Sequence, residues 1–409
     1  MPKGAYFGVG SKARKIRRIY VGIGGKARKV KKGYIGIGGK ARKFFGGEVK
    51  YYKKTTSSVM SVSINSLGIN FGNYALFAGG RPSLSSSNAL EGVYAFNTSL
   101  IVNKLENLLD IDEGLSSQPF GGVVGNYALI SDMRRTFQTY NNSLVKSTTV
   151  SYPRNDASNM GNILNGVATN GTKMIVGAGS IRVNGVYKTS SEVAGIDSSL
   201  VKTTLNATGE NLGFVPDDYG AGSAVGSYLL LAYNYNDVSK VTVYNNSYVR
   251  THQLSLDTTS MTSGRITPPI SGKLSNAAIF GISDNYSGSY VGTINSFDSS
   301  LVRKSNSTGR FYYRGDTVTG SHSDFVLITG GETSSTDDRK ESTRVFAIDS
   351  SLVMFETSSL QGEKTATYAV VQTSEGACVG DYIIFYGGME YATAGGNPVT
   401  RVLNIYEVG

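Results

Sequence analysis

The stretch Asn73-Tyr74-Ala75-Leu76-Phe77-Ala78-Gly79-Gly80 is the phrase that decides the fold of this chain. Variants of it begin again at Asn126, Lys173, Ser227, Asn276, Asp324 and Asp381. Each copy is a short aliphatic and aromatic run of buried-strand length that ends at glycines or other small residues. Seven copies of one strand predict a repeat architecture.

A second phrase follows the first six copies, and it reads Phe96-Asn97-Thr98-Ser99-Leu100 in the first of them. Its last residue falls at positions 100, 144, 200, 248, 301 and 352, which is a period of about 50 residues. The Asn or Asp in each copy can bond to backbone groups just ahead, which favours a tight hairpin turn into a polar last strand. Four strands per copy at this period are typical of a β-propeller blade.

The two ends of the array predict that it closes into a ring. The seventh copy runs through Tyr406 and stops at Gly409 without a fourth strand. Residues 49–56 precede the first copy and match the fourth-strand segments 144–149 and 200–204. We therefore predict an all-β propeller of seven four-stranded blades, in which 49–56 completes the last blade. A linear β array or two sandwiches is the alternative.

A shorter repeat occupies the first 47 residues. Units of 14 residues start at Tyr6, Tyr20 and Tyr34, and each carries Gly-Gly or Gly-Ser followed by Lys-Ala-Arg-Lys. Because each glycine costs a helix close to 1 kcal/mol relative to alanine, the units favour extended strands that turn at the glycines. A flexible basic tail is the alternative that the composition also allows. We divide the chain into a basic arm, residues 1–47, and a propeller, residues 48–409.

Charge separates the same two regions. Residues 1–54 hold 17 Lys and Arg against Glu48 alone, which leaves 23 basic and 29 acidic residues for positions 55–409. Attraction to an acidic partner therefore belongs to the arm. We expect the arm to dock the chain through residues of the repeat. These are Tyr6, Lys12, Arg14, Lys15, Tyr20, Lys26, Arg28, Lys29, Tyr34, Lys40, Arg42 and Lys43.

Enzymatic chemistry finds little support in the residue inventory. Cys378, His252 and His322 lie in different copies without metal-ligand spacing, and the chain has no Trp for the Asp boxes of sialidase-type propellers. Asp110-Ile111-Asp112-Glu113 lacks the further acids of a calcium loop. No signal-peptide core or run of about 18 apolar residues is evident. We expect a non-enzyme with no catalytic residues, cofactor, metal or membrane association.

Recognition by the propeller is predicted for its variable loops. In a four-stranded blade, the connections from second to third strand share a rim with those between blades, and here their lengths vary widely. The tyrosines that fall in these segments could stack on sugars or contact a protein. They are Tyr233, Tyr235, Tyr286, Tyr290 and Tyr391.

Residues 71–80, 124–130 and 140–144 closely match the blades of a known group of proteins. The body resembles kelch-like propellers of structural proteins from phages and prophages of low-GC Gram-positive bacteria. The arm resembles the Tyr-Ile-Gly-Val-Gly-Gly repeat at the front of similar virion proteins. Blades three to five depart from the pattern because they lack the Gly-Gly.

The resemblance implies a virion structural protein, made in the bacterial cytoplasm and released by lysis. It is expected to be present in multiple copies, to contact other virion proteins through the arm, and to lie on the tail or baseplate side in preference to capsid or neck. A receptor-binding adhesin for a host glycan or protein is the first alternative. Nucleic-acid binding through the arm is the second, because Lys-Ala-Arg-Lys with spaced Tyr could contact phosphates and bases.

Overall fold

The computed structural model describes the strands and most of the tight turns of the chain. The described residues are 6–9, 12–15, 19–23, 26–30, 33–37, 40–45, 49–61, 63, 66–80, 82, 90, 92–105, 119–131, 136–151, 166–177, 180–183, 186–189, 192–206, 221–235, 238–257, 270–283, 292–307, 318–329, 344–349, 351–361, 369–371, 375–391 and 401–408. Within these ranges the structure is all-β.

The arm contains three separate two-stranded hairpins. Their strands are β1 (Tyr6–Val9), β2 (Lys12–Lys15), β3 (Ile19–Ile23), β4 (Lys26–Val30), β5 (Gly33–Ile37) and β6 (Lys40–Phe45). Equivalent positions pair in every hairpin, since Tyr6, Tyr20 and Tyr34 face Lys15, Lys29 and Lys43. Among the described strands, none of one hairpin pairs with another hairpin. The three hairpins formed by the 14-residue repeat therefore share the same pairing of Tyr with Lys.

The propeller begins with β7 (Val49–Thr56) and continues through six blades made of consecutive chain segments. Blade 1 contains β8 (Leu67–Phe71), β9 (Tyr74–Ala78), β10 (Val93–Asn97) and β11 (Val102–Leu105). Blade 2 contains β12 (Gly121–Val124), β13 (Tyr127–Ser131), β14 (Thr136–Asn141) and β15 (Lys146–Ser151). Blade 3 contains β16 (Gly166–Thr169), β17 (Lys173–Gly177), β20 (Glu192–Asp197) and β21 (Lys202–Asn206), with an extra hairpin of β18 (Ser180–Val183) and β19 (Val186–Thr189).

The later blades repeat the plan. Blade 4 contains β22 (Ala221–Val225), β23 (Tyr228–Tyr235), β24 (Val238–Tyr244) and β25 (Arg250–Ser255). Blade 5 contains β26 (Ile270–Lys273), β27 (Ala277–Ser283), β28 (Gly292–Asp298) and β29 (Arg303–Ser307). Blade 6 contains β30 (Val318–Ser321), β31 (Phe325–Thr329), β32 (Val345–Asp349) and β33 (Met354–Glu356).

Blade 7 is completed by the N-terminal strand, as predicted. Its order is β35 (Ala377–Val379), β36 (Tyr382–Tyr386), β38 (Val402–Val408) and β7. β34 (Ala369–Val371) and β37 (Met389–Tyr391) pair with each other as a separate two-stranded sheet. The β38–β7 register runs from Val402 opposite Thr56 to Val408 opposite Val49. The sequence prediction of seven four-stranded blades closed by this strand is therefore confirmed, and a linear array is excluded.

Seven apolar clusters lie between the blades, one for each neighbouring pair, including the pair of blades 7 and 1. At that last junction the ring of Phe77 lies 5.8 Å from Phe96 and 5.9 Å from Tyr386, between ring centroids. Buried side chains of this kind each contribute roughly 1.5–3 kcal/mol. Because each core lies between two blades, every blade shares apolar surface with both of its neighbours, and closure of the ring covers the faces of the first and last blades.

Candidate docking site at the turn rim

The propeller has two unlike ends. We call the end where the first strand joins the second, and the third joins the fourth, the turn rim. The opposite end, where second strands join third strands and blades join blades, is the loop rim. The fourth strands β11, β15, β21, β25, β29, β33 and β7 are the outer wall.

The turn rim is built from six copies of one turn between third and fourth strands. In the first, the backbone N–H groups of Ser99 and Ile101 both donate to Asn97 Oδ1 at 3.0 Å. The Leu100 N–H donates to the Asn97 carbonyl at 2.9 Å. Asn141, Asp197, Asn245, Asp298 and Asp349 accept the same pair of bonds at 2.9–3.1 Å. The predicted Asn/Asp turn is therefore confirmed in all six copies.

Each turn places a non-glycine residue in the left-handed backbone region. The φ angle is between 59° and 61° at Leu100, Leu144, Leu200, Tyr248, Leu301 and Leu352. This conformation costs an ordinary side chain roughly 1–2 kcal/mol. The side chain offsets the cost by packing into the apolar cluster shared with the preceding blade, as Leu144 does between blades 1 and 2. The residue that ends each turn is thus also a contact between blades.

The residue after each turn is apolar and exposed. Ile101, Val145, Val201, Val249, Val302 and Val353 are 45–58% exposed at equivalent positions around the rim. Their regular exposure gives the turn rim a repeated apolar feature. Such a repeat is different from the singly scattered apolar residues of an ordinary surface, which need no explanation.

The outer wall next to these residues is basic. Its strands carry Lys50, Lys53, Lys54, Lys104, Lys146, Lys202, Arg250, Arg303 and Lys304. The one acid in these strands is Glu356, whose Oε1 lies 3.7 Å from Arg344 Nε. Lys104, Lys146, Lys202 and Lys304 are exposed. The wall therefore has the same charge sign as the arm.

The arm joins the propeller at this rim. β7 is a fourth strand, so its first residue, Val49, lies at the end of blade 7 where the other blades have their third-to-fourth turns. The twelve arm residues predicted to dock lie in hairpin strands that precede this point. The attachment point of the arm, the exposed apolar residues and the first residues of the wall strands thus lie at the turn rim.

The predicted recognition tyrosines are distributed differently from the sequence-based expectation. Tyr233 and Tyr235 lie in β23, which pairs with β24 as far as Tyr235 opposite Val238, so they belong to an extended hairpin and not to a loop. Tyr391 ends β37. Tyr286 and Tyr290 lie outside the described residues. The recognition role of all five stays a prediction.

The inner strands at the ring axis approach one another closely. A Cβ added at Gly68 would lie 2.2 Å from the Glu375 carbonyl oxygen, and one at Gly222 would lie 2.2 Å from the Val167 carbonyl. Side chains also link the inner strands, since Asn70 Nδ2 donates to the Ser321 carbonyl at 2.9 Å. Close backbone contacts and side-chain hydrogen bonds thus join the inner strands of neighbouring blades around the axis.

The histidines and the cysteine do not converge. His252 is exposed on β25, and His322 Nδ1 lies 3.9 Å from Asp324 Oδ2 at the turn rim. Burial, with a contribution from Asp381, raises the pKa of Cys378 to about 12, so this thiol is protonated at neutral pH. In the described ranges no three His, Cys, Asp or Glu side chains form a possible metal site. The acidic stretch 110–113 lies outside those ranges.

In the portion of the chain that the structure describes, no helix has the length and hydropathy that a bilayer crossing requires.

The structure makes this protein a seven-bladed β-propeller, and comparison with solved structures supports the propeller fold alone. No family model and no curated protein matches the sequence. The fold is similar to a streptogramin B lyase structure, with TM-score 0.53 and 10% identity over 88% of this chain and 98% of that chain. A structure of BamB from Moraxella catarrhalis gives TM-score 0.44 and 11% identity over 88% and 100% of the two chains. At 10% identity the similarity to the lyase structure shows the fold alone.

Sequence reasoning missed several features of the site. It did not identify the first strands, which are short and carry glycines such as Gly68, Gly222, Gly272 and Gly320. Their recurrence with the blade period was the available signal. It also missed the exposed apolar residue after each turn, although Val or Ile follows the Leu or Tyr in all six phrases.

Proposed function

We propose that this protein is a non-enzymatic structural component of a phage or prophage virion, attached through its basic arm with the propeller displayed outward. The observation that carries the proposal is the position of the arm, which enters at the turn rim through β7. An arm held at the particle leaves the loop rim facing away from it. The resemblance of arm and blades to virion proteins supports the same assignment and favours the tail or baseplate side.

Partners are proposed on the same basis. The arm would contact other virion proteins, because 17 Lys and Arg against one acid in residues 1–54 suit an acidic surface. Several copies per particle would follow if that surface belongs to a repeated subunit.

Receptor binding is a second candidate function, and one specific observation favours it. The connections at the loop rim differ in length from blade to blade, whereas the six turns at the other rim are alike. Diversity at the end away from the arm is the arrangement that an adhesin for a host glycan or protein requires. The first test is binding of residues 48–409 to host cells.

Immunoelectron microscopy tests the principal proposal. Antibodies against residues 48–409 should label purified particles at one defined place, and particles made with a chain that lacks residues 1–47 should be unlabelled. Free protein in the lysate with unlabelled wild-type particles would contradict a virion role. Label that disappears after nuclease treatment would instead indicate attachment through nucleic acid.

A further inference from the structure

We infer that the outer wall is a second docking surface, continuous with the arm, that takes an acidic protein surface of the particle. The inference rests on the proposed docking of the arm and adds the propeller itself to the contact. It concerns the half of the wall nearest the turn rim, where β15, β21, β25 and β29 begin.

The charge of the wall is opposite to that of the body to which it belongs. Residues 55–409 hold 29 acids and 23 bases. Yet the fourth strands in that range carry six bases and only Glu356, which already faces Arg344. Within the described strands of the propeller, positive charge is therefore concentrated on the wall, while Asp197, Asp298 and Asp349 in the adjoining turns accept backbone N–H bonds.

The wall repeats an apolar residue followed by a base. Val145 precedes Lys146, Val201 precedes Lys202, and Val302 precedes Arg303, each directly after its turn. The valines are 54–57% exposed. A partner that contacts blades 2 to 5 would meet the same apolar and cationic groups at each of them, since Val249 likewise precedes Arg250 in blade 4.

Protection of sheet edges does not account for the pattern by itself. Lysine on an exposed edge strand prevents pairing with other chains, and it is the charged residue most used for that purpose. Edge protection does not explain why an exposed valine directly precedes the base that begins β15, β21 and β29. Nor does it explain why the basic character continues through β7, with Lys50, Lys53 and Lys54, to the arm.

The exposed apolar residues favour a protein partner over nucleic acid. Protein interfaces combine apolar contact with complementary charge, whereas binding to nucleic acid is dominated by phosphate contacts. Complementary charge across a protein interface raises the rate of association and selects the partner. The occupant we propose is thus an acidic protein surface with apolar groups that meet the valines of the turn rim.

Charge reversal in the full-length chain tests the inference. The wall variant is K146E/K202E/K304E, at three exposed lysines on blades 2, 3 and 5. The control R265E/R310E/R314E makes the same change in net charge within the connections from β25 to β26 and from β29 to β30. Binding is measured to purified particles produced without this protein, over a series of salt concentrations.

We expect the wall variant to bind at least about tenfold more weakly at low salt, with a flatter salt dependence, and the control to bind like the unmodified chain. Equal losses of binding in both variants would show that only net charge matters. No loss of binding in either variant would show that the wall does not contact the particle. Each result overturns the inference. Loss of the wall effect after nuclease treatment would overturn it in favour of nucleic acid. Failure of the unmodified chain to bind would count against the proposed function itself.

A neutral variant separates charge from misfolding. K146A/K202A/K304A keeps the strands and removes the cations, so its binding should fall between that of the unmodified chain and the wall variant. Both variants should retain the melting temperature of the unmodified chain, because exposed lysines of this kind contribute little to stability. If the wall variant is misfolded and the neutral variant binds particles as tightly as the unmodified chain, the inference is wrong.

Discussion

The arm and the propeller are both built from repeats, but they use repetition in opposite ways. The arm repeats almost identical units of 14 residues, and each forms its own hairpin with no strand shared between the described hairpins. The propeller repeats loosely similar units of about 50 residues, and each shares an apolar cluster with the next. A 14-residue unit is too short to bury a core, whereas a four-stranded blade has two faces to cover. Packing between repeats thus depends on how much apolar surface each unit can bury, and not on how similar the units are in sequence.

The largest effect should come from removing the strand that links the two regions. Deletion of residues 1–56 takes away β7, exposes the edge of β38 and opens the cluster that contains Val49, Phe385 and Tyr406. We expect destabilisation of more than about 5 kcal/mol, a large share of the stability of a domain. Deletion of residues 1–47 alone should leave the melting temperature within about 2 °C. Calorimetry of the two truncations checks this, and similar melting of both would mean that closure does not stabilise the ring.

A smaller loss of folding stability should follow from a substitution at the axis of the ring. In Gly68→Ala the new Cβ would lie 2.2 Å from the Glu375 carbonyl oxygen, a backbone atom that cannot rotate away. We expect a cost of about 3 kcal/mol in urea unfolding. Gly72→Ala, at φ 56° with open space around its Cβ position, serves as the matched control and should cost only about 1 kcal/mol. Equal costs would show that close packing of the inner strands is unimportant.

One pair of residues tests how neighbouring blades are fitted to each other. Blade 4 has Tyr248 where five other blades have Leu at the end of the turn, and Gly195 of blade 3 leaves room for it, because a Cβ there would lie 2.8 Å from the tyrosine ring. Gly195→Ala should therefore destabilise by about 2 kcal/mol. Tyr248→Leu in the same chain should restore part of the loss. A double-mutant cycle in urea should give a coupling of about 1 kcal/mol, whereas additive effects would refute the pairing.

The smallest effect is expected at a single turn. Asn141 Oδ1 accepts N–H bonds from Ser143 and Val145 at 3.0 and 3.1 Å, and Asn141→Ala removes both. Because these bonds are exposed, we expect a loss of about 1 kcal/mol. Asn141→Asp should be tolerated, since Asp197, Asp298 and Asp349 accept the same bonds in their turns. Thermal unfolding of the two variants measures the difference; an equally damaging Asp would show that the bonds themselves are not what stabilises the turn.

The sequence predicted those parts of the fold that depend on the number of repeats or on hydrogen bonds between residues close in the chain. Seven second-strand phrases gave the number of blades, and the missing fourth strand of the last copy identified residues 49–56 as its replacement. The Asn and Asp turns were predictable because their bonds span only two to four residues. Tyr233 and Tyr235 were assigned to a variable loop, yet pairing with β24 extends the strand through Tyr235.

The sequence alone determined the repeat, the closure and the separation of a basic arm from a more acidic body, because each of these is a matter of period, pattern or charge along the chain. Only the tertiary structure decided that the arm enters at the rim of uniform turns, that valines are exposed there, and that basic side chains share one wall. These features depend on contacts between residues about 50 or more positions apart, as between Tyr248 and Gly195. Such contacts exist only once neighbouring blades have packed.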